Sequence, residues 1–171
     1  MLERFYPREY YPSTFSISFD EYFKKGYRVL LFDIDNTLVG HGAPADERAE
    51  AFFKDLRSMG FKTCLISNNS EARVKSFADE VGSYYIYGAG KPKPMGYEKA
   101  MSMLGSSLSD TLFVGDQIFT DIWGANSAGI YSILVKPLGP DPLLKIKLKR
   151  IGEKIVLFFY KHSKYYNKKA E

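Results

Sequence analysis

Two aspartates, Asp33 and Asp35, directly follow four consecutive apolar residues at positions 29–32. The apolar run is bounded by polar residues and is too short for a helix, so it predicts a strand buried on both faces of a parallel sheet. Open α/β sheets build their sites at the carboxyl ends of such strands. Two carboxylates this close repel each other unless a cation lies between them. The pair therefore indicates a cation site, although two turn-forming aspartates would give the same spacing.

Other polar residues follow the neighbouring predicted strands in the same way. A strand over residues 61–67 ends in Ser67, a strand over 111–115 is followed by Asp116, and Lys91 lies in the loop after a third strand. In a parallel sheet these positions share one edge. Carboxylates with no Cys or His nearby favour a hard cation such as Mg²⁺. A hydroxyl and a lysine beside them would hold a phosphate, which leaves one aspartate free to act as a nucleophile.

The elements that must position these residues alternate along the chain. The spacing predicts five strands separated by helices, one of which follows an N-cap at Asp46 and covers residues 47–59. Strands alternating with helices require right-handed crossovers. We therefore predict an α/β fold with a doubly wound, five-stranded parallel sheet and helices on both faces.

Composition sets the broad class of the protein. The chain has 171 residues, of which 45% are apolar and 26% charged, as expected of one globular domain. Its single cysteine, Cys64, fits a reducing compartment and is interpreted as a core residue. The first residues lack the apolar region of a secretion signal, and no apolar run approaches membrane-spanning length. We therefore expect a cytoplasmic protein.

Together these segments resemble the four motifs of the haloacid dehalogenase (HAD) superfamily of phosphatases. The residues of the first and last motifs are similar to those of its type IIIA branch. The matching segments, in the family's order, are Asp33 to Thr37, Ser67 to Asn69, Lys91 with Pro92, and Gly115 to Asp121. The resemblance covers about residues 28–135. It implies a Rossmann-like fold and a Mg²⁺-dependent phosphomonoesterase.

The resemblance also implies the roles of the acidic residues. Asp33 would attack phosphorus and become an aspartyl phosphate. Asp35 would protonate the leaving alkoxide and later deprotonate the attacking water, and its backbone carbonyl would touch the metal. Mg²⁺ would be held by Asp33 and Asp116, with Asp121 as a further ligand.

The phosphoryl oxygens would be bound by Ser67, by the backbone of Asn68 and by Lys91. This assignment agrees with elementary electrostatics. A carboxylate that attacks a phosphate dianion needs its repulsion cancelled, and Mg²⁺ together with a lysine would do so.

The lengths of two loops bear on the size of the substrate. Superfamily members carry a cap either just after the first motif or between the third strand and the lysine. Here Asp35 is soon followed by a helix and Tyr87 almost at once by Lys91, so we predict no cap domain. An open site suits a large or lipid-linked substrate, and phosphatidylglycerophosphate is the specific hypothesis.

The C-terminal segment is basic and amphipathic. Residues 143–171 carry nine Lys and Arg against two Glu, a net charge of +7, although the whole chain has only +4. One apolar face recurs with helical spacing at Leu144, Leu148, Ile151, Ile155 and Phe158. Around it lie Lys145, Lys147, Lys149, Arg150, Lys154 and Lys161. Such a helix either binds the inner face of an anionic membrane or packs on the domain.

We therefore divide the chain into a phosphatase domain over residues 1–142, with its core at 28–135, and a basic tail over 143–171. Two alternatives to a lipid phosphatase stay open. One is a phosphatase of a soluble nucleotide or sugar phosphate, and the other is a non-catalytic binding or assembly protein on the same fold. The sequence predicts no nucleic-acid partner and does not specify the oligomeric state.

Overall fold

The computed structural model of the protein describes residues 2–141 and 144–166. Its centre is a parallel sheet with strands in the order β1-β6-β5-β2-β3-β4. The strands are β1 Glu9–Tyr11, β2 Val29–Phe32, β3 Lys62–Ile66, β4 Tyr84–Ile86, β5 Thr111–Gly115 and β6 Tyr131–Val135. The doubly wound parallel sheet is confirmed.

The predicted number of strands is wrong, because the sheet has six strands rather than five. The additional strand, β1, pairs with β6, and Glu9 lies opposite Ile133. With only three residues, in a segment bounded by Pro7 and Pro12, β1 is too short to show a periodic pattern in the sequence.

Helices cover both faces of the sheet. They are α1 Phe19–Lys24, α2 Glu47–Ser58, α3 Glu71–Val81, α4 Met95–Leu104, α5 Trp123–Ser127 and α6 Leu144–Lys161, and a π-helical segment Ile118–Ile122 leads into α5. Successive residues of β2 point to opposite faces. Leu30 and Phe32 pack with α1, α2 and α3, whereas Val29 and Leu31 pack with α4 and α5. The all-apolar strand is thus buried on both sides, as predicted.

Local signals place α2 close to its predicted limits. The Asp46 carboxylate accepts a hydrogen bond of 2.8 Å from the Ala49 N–H, which satisfies a free donor of the first turn. Ala49, Phe53 and Leu56 recur at helical spacing and are buried. The helix therefore packs this face against the core.

No cap domain interrupts the fold. Only residues 33–46 separate β2 from α2, and only residues 87–94 separate β4 from α4. These are the two connections that a cap would lengthen. Within the described ranges, no helix is long and apolar enough to cross a membrane.

The C-terminal helix α6 turns its apolar stripe towards solvent. The stripe residues are between 57% and 72% exposed: Leu144, Leu148, Ile151, Ile155 and Phe158. The opposite face of the helix is the one that packs on the domain, and Glu153, Val156 and Tyr160 on it are buried. Helix packing and an exposed apolar face therefore occur together in α6.

Candidate active site

Three carboxylates meet at the carboxyl edge of the sheet. Asp33 follows β2 and Asp116 follows β5, and these strands are neighbours in the sheet. Asp121 lies in the π-helical segment after β5. Each of the three buried side chains offers an oxygen within 4.8 Å of the others. The acids predicted at this edge are thus brought together.

Lys91 lies among these acids. Its Nζ donates to Asp33 Oδ1 at 2.6 Å and to Asp121 Oδ1 at 2.7 Å. The Asn68 side chain holds the Lys91 backbone at both polar groups, because it accepts from the N–H at 2.8 Å and donates to the carbonyl at 3.1 Å. The loop after β4 is therefore fixed to the loop after β3, which explains how Lys91 reaches the acids.

Asp121 is positioned from three directions. Its Oδ2 accepts from the Gln117 N–H at 3.0 Å, and its carbonyl accepts from the Tyr97 hydroxyl at 3.1 Å. A Cβ at Gly115 would lie 2.6 Å from the Asp121 Cβ, closer than two carbons approach. A glycine is therefore required at the end of β5 for Asp121 to occupy this place.

Asp35 lies at the open side of the site and is half-buried. Its Oδ1 accepts from the Gly42 N–H at 2.7 Å and from Arg73 Nη2 at 3.3 Å, and its Oδ2 accepts from Asn69 Nδ2 at 2.6 Å. Three donors therefore fix the orientation of this carboxylate. Arg73 was not predicted as a site residue, because nothing in its own stretch of α3 marks it.

Ser67 is also at this edge, buried at the end of β3. Its backbone N–H donates to the Ile86 carbonyl at 3.0 Å, and its Oγ accepts from the Asn69 N–H at 3.2 Å. The hydroxyl hydrogen is not used in that bond, so it is available to a ligand oxygen. The structure therefore places each of the seven predicted site residues at one edge of the sheet.

Burial and crowding shape the charges of the site. Burial raises the pKa of Asp33 to about 7, against the opposing effect of Lys91 and with a further rise from Asp121. Burial likewise holds the pKa of Asp116 well above its usual range. For Lys91, burial lowers the pKa, but the neighbouring Asp121 and Asp33 outweigh it and raise the pKa overall. Three crowded carboxylates thus favour a cation at their centre.

A second cation, Arg150, reaches the site from α6. Its guanidinium donates to Oδ2 of Asp116, and to the Asp116 carbonyl at 2.7 Å. It also donates to Asp141 Oδ2 at 2.8 Å and to Glu153 Oε2 at 2.9 Å. We call these four residues the Arg150 cluster. It ties α6 to the edge of the sheet where Asp33, Asp116 and Asp121 meet, which we call the catalytic edge. The sequence does not predict this role, because it depends on how a terminal helix docks.

The donor set fits a hard divalent cation. The three acids supply only oxygen ligands, and no described Cys or His joins their cluster. Their oxygens lie within 4.8 Å of one another, and the two cations Lys91 and Arg150 compensate only part of their charge. The residues present therefore fit Mg²⁺, as the sequence predicts.

A cavity of about 230 Å³ opens beside Asp33 and Asp121. It is lined by Asp33, Asp35, His41, Ser67, Asn68, Asn69, Lys91, Gln117, Thr120, Asp121, Ile146 and Lys149. A larger cavity of about 770 Å³ lies between the N-terminal segment and residues 164–166, and it contains none of the predicted site residues. The chemistry therefore points to the smaller cavity as the site.

Comparison with known proteins agrees with this geometry. Residues 41–129 match the family described as haloacid dehalogenase-like hydrolase. The chain is 31% identical over 159 residues to the probable phosphatase YqeG of Bacillus subtilis, covering 92% of each protein. It is 27% identical over 147 residues to phosphatidylglycerophosphate phosphatase 1 of Arabidopsis thaliana, covering 75% of the chain and 40% of that protein.

Among solved structures, the fold is similar to 3-deoxy-D-manno-octulosonate 8-phosphate phosphatase from Moraxella catarrhalis, determined with a magnesium ion, phosphate and the sugar. The TM-score is 0.54 at 20% identity, covering 82% of this chain and 98% of that one. The resemblance read from the four motifs is therefore confirmed, and the chain is a phosphatase that belongs to the haloacid dehalogenase-like hydrolases.

Proposed function

We propose that the protein is a Mg²⁺-dependent phosphomonoester hydrolase that works through an aspartyl phosphate on a lipid-linked substrate. The observation that carries the chemistry is the convergence of Asp33, Asp116 and Asp121 around one point beside Lys91. Asp33 and Asp116 would hold the ion, with Asp121 and the Asp35 carbonyl as further ligands. When bound, the ion supplies positive charge against the phosphoryl oxygens.

Asp33 is the proposed nucleophile. Its carboxylate oxygen attacks phosphorus as the bond from phosphorus to the leaving oxygen breaks. Asp35 gives its proton to the leaving alkoxide, then removes a proton from the water that attacks the aspartyl phosphate. That second attack releases inorganic phosphate and restores the Asp33 carboxylate. The hydrogen bonds from Asn69 and Arg73 hold Asp35 at the mouth of the cavity, on the side where a leaving group would emerge.

Ser67, Asn68 and Lys91 are the proposed phosphoryl-binding residues. The Ser67 hydroxyl and the Lys91 ammonium are directed at the same small volume as Asp33. Donors placed beforehand around the equatorial oxygens stabilise the charge that spreads over them in the transition state. An incoming phosphoryl group would take over part of the contact that Lys91 makes with the acids.

The lipid-linked substrate is supported by the surface around the site. The two short connections leave the cavity without a cap, so a large substrate can enter. The α6 stripe is exposed to solvent on the helix that also contributes Ile146 and Lys149 to the cavity lining. The relative from Arabidopsis thaliana is named for phosphatidylglycerophosphate. These observations together favour an anionic phospholipid.

We further propose that the α6 stripe binds an anionic membrane leaflet. Exposed lysines flank it, among them Lys154 and Lys161. Each basic residue close to an anionic leaflet contributes about 1 kcal/mol, and the apolar stripe adds to that by insertion. Positive charge beside exposed apolar residues is complementary to anionic lipid, whereas an ordinary protein interface is depleted of lysine. We therefore propose anionic lipid, rather than a protein, as the partner of this surface.

A phosphate-release screen over lipid, nucleotide and sugar phosphates tests the substrate class. The proposal expects hydrolysis of phosphatidylglycerophosphate in vesicles, with much slower release from nucleotides and sugar phosphates. The reverse ranking would support the soluble-substrate alternative. No release from any of them, with the fold intact, would overturn the proposed activity.

A change confined to the stripe tests the membrane surface. The double variant Leu148→Ser, Ile155→Ser keeps Arg150 and so leaves the catalytic edge anchored. We expect it to lose sedimentation with anionic vesicles and to hydrolyse the bilayer substrate more slowly, while a small soluble ester is hydrolysed as before. The matched control is Met103→Ser, Leu108→Ser, which removes two exposed apolar residues elsewhere. Equal vesicle binding by the wild type, the stripe variant and the control variant would contradict the membrane proposal.

A further inference from the structure

Lys149 occupies an unusual place among the basic residues of α6. Successive residues of a helix are rotated by about 100°. Lys149 therefore lies on the same side as Glu153, Val156 and Tyr160, which is the side that faces the domain. Both Lys149 and Lys147 are exposed, but Lys147 lies about 160° away around the helix and does not line the cavity. Lys149 and Ile146 are the α6 residues that line the catalytic cavity.

The cations near this cavity differ in whether they are already paired. Lys91 is bonded to Asp33 and Asp121, and Arg73 to Asp35. Arg150 is bonded to the three acids of its cluster. Among the described residues, no carboxylate forms an ion pair with Lys149. The cavity therefore has one lysine whose charge is available to a ligand.

The Arg150 cluster anchors the part of α6 that contains Lys149. Arg150 follows it directly in the chain and is held by Asp116, Asp141 and Glu153. Asp141 is in turn bonded by Asn36 Nδ2 at 3.0 Å, within the first motif. These contacts fix the first turns of α6 against the catalytic edge. These contacts anchor the backbone next to Lys149, whose side chain lines the cavity.

We infer that Lys149 is a specificity-determining residue that binds a second anionic group of the substrate, next to the phosphomonoester that is cleaved. The inference rests on the proposed function, since it assumes that the scissile phosphate lies between Asp33 and Ser67. A substrate with a phosphodiester or carboxylate a few bonds from its phosphomonoester would satisfy both positions. Such an anion occurs in a lipid headgroup and in soluble bisphosphates, and the chemistry at Lys149 is the same for both.

The test compares two soluble phosphomonoesters without membranes present. Glycerophosphoglycerophosphate carries the second phosphate, and glycerol 3-phosphate lacks it. A charge-assisted contact of ordinary strength corresponds to a change of about tenfold or more in kcat/KM. We expect Lys149→Ala to lower kcat/KM by that factor for glycerophosphoglycerophosphate and by less than about twofold for glycerol 3-phosphate.

Two further variants separate charge from structure. Lys149→Arg keeps the positive charge and should retain most of the preference for glycerophosphoglycerophosphate. Lys147→Ala removes the same charge from the outer side of α6 and should leave both rates unchanged. An equal loss on both substrates in Lys149→Ala, or the same selective loss in Lys147→Ala, would overturn the inference. Unchanged kinetics in Lys149→Ala would also overturn it, while leaving the phosphatase proposal intact.

A binding measurement distinguishes this inference from the proposed chemistry. Calorimetric titration of glycerophosphoglycerophosphate into Asp33→Asn protein reports binding without turnover. Weaker binding in Asp33→Asn, Lys149→Ala than in Asp33→Asn supports Lys149 even if the wild type hydrolyses neither ester. Equal binding by the two proteins would contradict the role of Lys149, whatever the wild type hydrolyses. To probe a lipid source, dioleoyl phosphatidylglycerophosphate in vesicles is then compared with the soluble headgroup, and Lys149→Ala should slow hydrolysis of both.

Discussion

Two buried acidic sites lie at different parts of the same sheet and differ in the groups that bind their carboxylates. At the catalytic edge, Asp33, Asp116 and Asp121 crowd together and are bonded by the cations Lys91 and Arg150. On β1, Glu9 is surrounded by tyrosine hydroxyls instead. Its Oε2 accepts from Tyr22 at 2.6 Å and from Tyr11 at 2.7 Å, and its Oε1 accepts from Tyr131 at 2.6 Å. One site contains three crowded acids bonded by two cations, and the other a carboxylate that accepts hydrogen bonds from three tyrosine hydroxyls.

The difference shows what each arrangement is suited to. Hydroxyl donors around Glu9 join β1, α1 and β6, so this acid staples the N-terminal segment to the edge of the sheet. Burial, and then the bond to Glu9, raise the pKa of Tyr22 and Tyr131 well above the ordinary range, which keeps both hydroxyls protonated as donors. Asp33, Asp116 and Asp121 repel one another, and a cation among them would relieve that repulsion. We therefore expect the first site to govern stability and the second to govern activity.

The largest expected effect is on turnover at the catalytic edge. Asp33→Asn should lower kcat by about 10⁴-fold or more, because it removes the attacking carboxylate. The free energy of unfolding should change by less than about 1 kcal/mol, because one of three repelling charges is also removed. Phosphate release and thermal melting measure the two quantities. Asp79→Asn, at an exposed position, is the control and should affect neither.

An unfolded Asp33→Asn protein would break the comparison, because the catalytic edge would then contribute as much to stability as the Glu9 site. Retention of more than a few per cent of the activity by a folded variant would remove Asp33 as the nucleophile.

The next effect concerns the metal. Mg²⁺ should raise the melting temperature of the chelator-treated protein, since a ligand that binds only the folded state stabilises it, by about 2.7 kcal/mol at one hundred times its dissociation constant. Activity should disappear in excess chelator and return with Mg²⁺. Asp116→Asn should lose most of the thermal shift, whereas Tyr131→Phe should keep it. Full turnover in metal-free buffer would show that the acids do not serve a cation.

The smallest effect on activity is expected at the Glu9 site. Tyr131→Phe removes one hydrogen bond to a buried carboxylate and should lower the free energy of unfolding by about 1.5–3 kcal/mol. The value of kcat/KM should change by less than about twofold, because two strands, β6 and β5, lie between β1 and β2 in the sheet. Chemical denaturation and kinetics measure the two quantities, with the exposed Tyr84→Phe as the control. A large loss of activity with unchanged stability would contradict the division between the two sites.

The catalytic edge was predictable because its residues follow buried strands. Val29 to Phe32 show the strand by composition, and the parallel sheet then brings Asp33, Asp116 and Lys91 to one edge. Neighbouring strands and their register are general properties of doubly wound folds. Once the strands are recognised, the parallel sheet predicts which of these residues lie together in the site. The four motifs then identify the family.

Residues that depend on docking were not predictable in the same way. β1 has only three residues, and Glu9 makes its contacts with tyrosines far along the chain. The position of Arg150 beside Asp116 follows from how α6 lies on the domain, which helical periodicity does not specify. The same periodicity predicted the apolar stripe but not that it would face outwards, because either face of α6 could in principle be buried.

The central claim is that Asp33 carries the phosphoryl group during turnover, and acid quenching followed by peptide mass spectrometry tests it directly. Wild-type protein mixed with Mg²⁺ and a phosphomonoester that it hydrolyses should show the added mass of one phosphoryl group on the peptide that contains Asp33. With an aryl phosphate, whose leaving group needs no protonation, Asp35→Asn should accumulate more of this species, because it lacks the base that activates water for its hydrolysis. Turnover with the phosphoryl group on a different residue, such as Asp35 or His41, would contradict the account.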